Sequence, residues 1–194
     1  MGGRFGTAVG VSCATLALVG AGAAGASGPA PSALYASLAV SPFANAELPS
    51  GFSRAQIVPA TVTSSARTKL RVVGALQVVV AGPDPDDDIL YAVYGTQAAA
   101  RYAFDHPVSA NSGFHVRSMG RVAGVSGPSK LFVGTGTNVE GTKVGVSIAG
   151  ALAGDVVVSV LTDARAKARG DTAGTGALLR SGLKHLASVL ATSA

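Results

Sequence analysis

The sequence has no tryptophan and a single cysteine, Cys13, among its 194 residues. A chain with one cysteine forms no internal disulfide, so its stability must come from a packed core. Aromatic residues make up 5% of the chain, and few of them lie near its basic residues, which argues against a nucleic-acid-binding surface. Glu47 and Glu140 are the only glutamates, so a pair of catalytic carboxylates would have to come from the aspartates.

Recognisable catalytic motifs are missing as well. The histidines, His106, His115 and His185, lie far apart in sequence, and none has a neighbour at metal-ligand spacing. Ser181 and Lys184 fit an S-x-x-K pattern, but its K-T-G and S-D-N partners are absent, which favours two polar residues on an exposed helix face. There is no G-x-S-x-G nucleophile elbow. The sequence therefore predicts no catalytic residue, no metal site and no cofactor.

Residues 1–26 have the pattern of a secretory signal peptide. Arg4 precedes a mildly apolar run over residues 8–24, and small residues at 24–26 suit cleavage by a signal peptidase. Lipid attachment at Cys13 is the alternative, but a lipoprotein signal needs a leucine-like residue at the position of Gly10. We therefore expect a secreted or extracytoplasmic protein whose mature chain does not span the membrane.

The rest of the chain has room for one domain with a real core. Residues 27–50 are rich in proline, alanine and serine and predict a linker leading into a single α+β domain over residues 51–194. The net charge of +5 is modestly basic and favours anionic partners such as cell-wall polymers or a phospholipid surface.

The clearest structural unit covers residues 69–107. Two β-favouring runs, 76–81 and 89–94, flank a turn rich in glycine, proline and aspartate. Thr96 is placed to cap a helix over residues 97–106, and Pro107 ends it. The unit reads as a β-hairpin whose second strand leads into a helix.

A similar order recurs near the C-terminus, with strands at 143–148 and 155–161, a turn at 149–154 and a helix at 172–191 capped near Asp171. That helix carries an apolar stripe formed by Leu179, Leu183, Leu186 and Leu190. Further strands are expected at 114–119 and 130–133, and an edge strand is expected near Pro59. The pattern predicts an antiparallel sheet with two helices packed on one face, in two strand–strand–helix halves.

Three groups of residues are candidates for binding. Asp84, Asp86, Asp87 and Asp88 predict a solvated turn, with a weak cation site as the alternative. The tyrosines Tyr91, Tyr94 and Tyr102 could line a ligand cleft or simply pack in the core, and the alternation along a strand puts Tyr91 and Tyr94 on opposite faces. The basic residues Arg165, Lys167, Arg169, Arg180 and Lys184 indicate either an anion-binding surface or a solvated connector.

Three segments carry a resemblance to a known class of proteins: SPF…LPSGF at 41–52, GPDPDDDILYAVYGT at 82–96 and GDVVVSVLTD at 154–163. Together they resemble small secreted or sensor-like extracellular domains of high-GC Gram-positive bacteria. The resemblance implies an α+β fold outside the cytoplasm and assigns no activity, so no residue role follows from it. Those domains usually carry a disulfide, which this chain lacks.

Two functions from different classes are consistent with these patterns. The first is an exported, non-enzymatic binding or sensor-like domain that acts in the cell envelope or outside the cell on an unknown envelope component. The second is a small ferredoxin-like ligand carrier or cofactorless enzyme, with a small apolar ligand held between sheet and helix near the tyrosines. An open cleft at that place would favour the second function, and a filled one would favour the first.

Overall fold

The computed structural model describes residues 29–82, 87–107, 115–137, 142–164 and 171–193, so the predicted signal at 1–26 lies outside the described residues. The strands are β1 Ser53–Pro59, β2 Val72–Ala81, β3 Asp87–Tyr94, β4 His115–Gly120, β5 Ser129–Thr137, β6 Lys143–Ala153 and β7 Val156–Ala164. The α-helices are α1 Pro31–Val40, α2 Ser64–Lys69, α3 Gln97–Asp105 and α4 Thr172–Thr192, and a 3-10 turn covers Asn45–Glu47.

The strands form one antiparallel sheet in the order β1-β2-β3-β7-β6-β5-β4. Two meanders, β1 to β3 and β4 to β7, meet at the centre, where residues 88–93 of β3 pair with 156–161 of β7. Helix α3 follows β3, and the chain then continues to β4 at the far edge. The predicted α+β class and antiparallel sheet are confirmed, as is the edge strand that ends at Pro59.

Each face of the sheet carries its own hydrophobic core. Ile89, Tyr91 and Val93 alternate along β3 and pack with residues of α1 and α4. Tyr94, the next residue, points the other way and packs with residues of α2 and α3. Helices α3 and α4 therefore cover opposite faces. The prediction that both lie on one face is wrong, because a hairpin followed by a helix does not by itself fix which face the helix takes.

This arrangement also bears on the predicted halves. Two strands followed by a helix do occur twice, as β2-β3-α3 and β6-β7-α4. Strands β3 and β7 are antiparallel neighbours, so a twofold axis that exchanged them would run perpendicular to the sheet. Such an axis would relate a helix on one face of the sheet to a second helix on the same face. The helices lie on opposite faces, so no such axis relates the two units.

The segment predicted to be a linker belongs to the core. Leu34 and Leu38 of α1 are 2% and 1% exposed, and Phe43 is also buried. All three contact the cluster formed by α4 and the sheet. The domain boundary predicted at residue 51 is therefore too late. The amino-acid composition of the segment did not indicate that it packs in the core, because a helix of small residues needs only two leucines one turn apart to pack on a sheet.

Other local expectations also change. Strand β6 continues to Ala153, so the turn expected over 149–154 shrinks to Gly154 and Asp155, where Gly154 has a φ of 62°. Strand β4 is exposed at all six residues, although the alternation of apolar and polar residues over 114–119 is typical of a half-buried strand. The short helix α2, capped by Thr63, was not predicted.

Helix α4 begins where expected, with the Asp171 carboxylate accepting a hydrogen bond from the backbone N–H of Ala173. Leu179 and Leu186 are buried as predicted, but Leu183 and Leu190 are only half-buried. Gly182 and His185 lie on the buried side of α4 with Leu186. The buried side of the helix is therefore displaced by about one sequence position from the predicted leucine stripe. No helix in the described part of the chain is long and apolar enough to cross a membrane.

Candidate functional site

The tyrosines proposed to line a cleft do not come together. Tyr91 is 1% exposed on the face covered by α4, and Tyr94 is buried on the face covered by α3. Tyr102 is 36% exposed and stacks on His106, with ring centroids 4.3 Å apart. The predicted opposition of Tyr91 and Tyr94 is confirmed, and it separates the two side chains by the thickness of the sheet.

The space between Tyr91 and α4 is filled. The Tyr91 hydroxyl donates to the carbonyl oxygen of Gly182 over 2.9 Å. A Cβ at Gly182 would lie 3.0 Å from Ile89 Cγ2 and 3.1 Å from Val158 Cγ1, so helix and sheet approach as closely as the missing side chain allows. A ligand cleft at this place would require α4 to move away from the sheet.

A buried polar cluster next to Tyr91 joins the N-terminal segment to α4. His185 Nδ1 lies 3.1 Å from Glu47 Oε2, and the His185 ring stacks on Phe43 with centroids 4.5 Å apart. The same carboxylate oxygen accepts a hydrogen bond from the backbone N–H of Ala44, which closes the 3-10 turn. Glu47 therefore ties its own turn to the C-terminal helix.

The cluster resembles a base oriented by a carboxylate, but its side chains are shielded from solvent. His185 is 2% exposed, and its Nε2 is buried with no hydrogen-bond partner among the described residues. Burial raises the pKa of Tyr91 well above its usual range, and the negative charge of Glu47 raises it further. A general base must reach the proton that it removes. These groups therefore join the N-terminal segment to α4. No local sequence pattern indicated the pair, because His185 and Glu47 are 138 residues apart.

The aspartate-rich segment is not wholly a solvated turn. Asp87 and Asp88 belong to β3, where Asp87 is 2% exposed and Asp88 accepts a hydrogen bond from Gln77 over 2.7 Å. Asp84 and Asp86 lie outside the described residues. Among the residues that the structure describes, no group of three or more His, Cys, Asp and Glu side chains is placed to hold a metal ion.

An open groove lies beside α4, and we call it the α4 groove. Its lining residues are 124–127 from the loop before β5, 151–153 from the end of β6, and Arg180, Leu183 and Lys184 from α4. The volume is about 410 Å³, within the range of roughly 300–1,000 Å³ that small-molecule sites occupy. None of these lining residues is acidic.

The loop that forms one wall of the groove is braced by hydrogen bonds. The Arg121 guanidinium donates to the carbonyl oxygens of Ser126 and Gly127 over 3.3 and 2.7 Å. Gly124 has a φ of 75°, a backbone conformation that favours glycine. Arg180 donates to the Ala123 carbonyl over 2.8 Å, which fixes the guanidinium against the loop. The groove therefore has a built wall and two cations at its rim.

Two of the five predicted anion-binding residues, Arg180 and Lys184, thus share one site. Arg165, Lys167 and Arg169 lie outside the described residues. The loop wall was not predicted, although Gly120, Gly124, Gly127 and Pro128 marked the segment as rich in turns.

Comparisons of the chain with protein-family models, with curated proteins and with solved structures found no match. The function is therefore argued from the geometry of the chain itself.

Proposed function

We propose that this protein is an exported, non-enzymatic binding domain that acts in the cell envelope or outside the cell and holds an anionic partner in the α4 groove. The observation that carries the proposal is the pairing of Arg180 and Lys184 on one rim of an open, acid-free groove. Export is supported by the signal pattern of residues 1–26.

The charges of the groove favour an anion for a physical reason. Arg180 and Lys184 are four residues apart on α4, so their side chains lie on the same side of the helix. Like charges at this spacing destabilise a helix by about 0.2–0.5 kcal/mol. Among the described residues, no carboxylate lies within salt-bridge distance of either cation. A bound anion would relieve this repulsion and accept hydrogen bonds from both side chains.

The ligand-carrier alternative has less support. It requires a cleft between sheet and helix near Tyr91, and that space holds the Tyr91–Gly182 hydrogen bond and the Glu47–His185 pair. Binding at the α4 groove needs no such opening, because the groove lies beside α4, next to the loop wall and the end of β6.

Calorimetric titration with a soluble polyanion, polyphosphate, tests the proposal. We expect the wild-type protein to bind and Arg180→Gln/Lys184→Gln to bind at least about tenfold more weakly, because a hydrogen bond to a charged group contributes about 1.5–3 kcal/mol. Raising the salt concentration should weaken binding, as it screens exposed charges.

The matched control is Arg101→Gln/Lys143→Gln, which removes the same net charge from exposed positions outside the groove. This variant should bind polyphosphate as the wild type does. Equal losses in both variants would show that binding follows net charge alone, and the groove would then have no special role.

Export is tested separately by sequencing the N-terminus of the protein recovered from culture medium. The expected mature chain begins near Ser27. Recovery of the full-length chain only from the cytoplasm would contradict export and would leave the groove measurements unaffected.

A further inference from the structure

The α4 groove combines two kinds of surface. Its floor contains apolar side chains, among them Val125, Ala153 and Leu183, which are each half-buried and pack against the core on the α4 face of the sheet. Its rim carries Arg180 and Lys184, both exposed. A small inorganic anion would pair with the two cations and leave the apolar floor exposed to water. A purely apolar molecule would cover the floor and leave the cations without an anion.

We propose that the occupant is a single-chain amphiphile, bound as a monomer, with a carboxylate or phosphate head group at Arg180 and Lys184 and its apolar chain along the floor. The inference rests on the proposed function and names the chemical class of its partner. Burial of the chain provides a hydrophobic contribution that grows with apolar area. The two cations orient the head group, as charged side chains do in mostly apolar sites.

The dimensions of the site favour a monomer over a membrane surface. The groove is lined by the loop wall, the end of β6 and α4, so its surface is concave, whereas the surface of a bilayer is flat. The braced loop wall supports this choice. Arg121 and Arg180 hold the loop by hydrogen bonds to its carbonyl oxygens, so the concave shape exists before a ligand binds.

Titration with decanoate, kept below its micelle concentration, tests this inference by calorimetry. Acetate supplies the same head group without the chain, and decanol supplies the chain without the charge. We expect decanoate to bind at least tenfold more tightly than either. Arg180→Gln/Lys184→Gln should weaken decanoate binding at least tenfold, and Arg101→Gln/Lys143→Gln should leave it unchanged.

Leu183→Gln separates the two surfaces of the groove. This variant keeps both cations and should weaken decanoate binding while leaving polyphosphate binding intact, with its thermal unfolding checked to confirm that it folds. Decanoate binding no tighter than that of acetate would overturn the inference, and so would binding that Arg180→Gln/Lys184→Gln leaves unchanged.

Two further outcomes separate the inference from the proposed function. If polyphosphate binds at the groove and decanoate does not, the inference fails and anion binding stands. If neither ligand binds, both fail. Binding to vesicles of anionic phospholipid in the absence of decanoate binding would also overturn the inference, in favour of a membrane surface as the partner.

Discussion

At Gly182 a single hydrogen atom in place of a side chain sets the distance between α4 and the sheet. Replacing glycine by alanine inside a helix normally stabilises it by about 1 kcal/mol. Here the new methyl group would lie 3.0 Å from Ile89 and 3.1 Å from Val158, both fully packed in strands. We expect Gly182→Ala to lower the free energy of unfolding by about 1–3 kcal/mol, measured by chemical denaturation.

Gly176 provides the matched control in the same helix. A Cβ at Gly176 would lie 3.4 Å from Val122 and 3.5 Å from Arg180, which is ordinary contact. Gly176→Ala should therefore be neutral or stabilising by up to about 1 kcal/mol. If both variants gained stability, the close approach at Gly182 would carry no energetic weight.

Asp87 is a buried carboxylate on β3, where the sequence predicted a solvated one. It has an interaction partner and is 2% exposed, so removing its carboxylate leaves buried polar groups without that interaction. We expect Asp87→Ala to cost about 1–3 kcal/mol of unfolding free energy, measured in denaturant.

The comparison for Asp87 is Asp105→Ala. Asp105 pairs with Lys130 across 3.3 Å at the surface, and exposed pairs contribute about 0–1 kcal/mol. Equal small effects at the two positions would indicate that the Asp87 side chain is solvated after all.

Tyr91 gives the fold a dependence on alkaline pH. Its pKa is raised in the folded protein, so the unfolded chain loses the proton first, near its ordinary value of 10.0. The contribution to stability is therefore complete below pH 10.0 and falls as the pH rises above it. The expected slope is about 1.4 kcal/mol per pH unit from this group.

Tyr91→Phe isolates that slope. The variant should lose about 0.5–1.5 kcal/mol at neutral pH, because the hydrogen bond to Gly182 is gone. Above pH 10.0 its stability should fall less steeply than that of the wild type, as followed by denaturant unfolding at several pH values. Parallel curves for the two proteins would mean that Tyr91 ionises in the folded state as freely as in the unfolded chain.

Among the elements, α1 shows most clearly how two side chains can place a helix. Leu38 is 1% exposed against the sheet and α4, whereas Val40, two residues later, is 83% exposed. Leu38→Ala should cost about 2–5 kcal/mol, and Val40→Ala should change stability by less than about 0.5 kcal/mol. Thermal and denaturant unfolding of the two variants, which lie in the same helix, gives the comparison directly.

The helix would count as a loosely attached segment if Leu38→Ala were as mild as Val40→Ala. Its amino-acid composition alone would suggest that outcome, because small residues dominate the helix and its ends carry no charge.

For the whole molecule, the question is where the folded unit begins. A chain starting at residue 51 would lack Leu34, Leu38 and Phe43, whose burial contributes roughly 5–9 kcal/mol at about 1.5–3 kcal/mol for each side chain. That amount is comparable with the total stability of about 5–15 kcal/mol of an ordinary domain. The shorter chain would also lack Phe43 and Glu47, which both contact His185 of α4.

We therefore expect the chain 27–194 to unfold in one cooperative transition and the chain 51–194 to be largely unfolded at room temperature, as seen by circular dichroism. A cooperative transition of similar midpoint in the shorter chain would restore residues 27–50 to the role of a linker.

The sequence by itself determined the local elements. Alternating and branched runs predicted the hairpin strands, Thr96 and Asp171 predicted the starts of α3 and α4, and Pro107 marked the end of α3. These features depend on backbone preferences and on caps within three residues, so they are legible in a short window. The antiparallel α+β class followed from the short connections between strands.

Only the tertiary structure decided which face each helix covers, and with it the candidate site. The pairing of Glu47 with His185 and the meeting of the loop wall with Arg180 each join residues that are distant in sequence. The burial of Asp87 likewise depends on the packing around β3 and not on the turn chemistry of its neighbours. Such contacts depend on how two cores form on either side of one sheet, and no local pattern of residues encodes that choice.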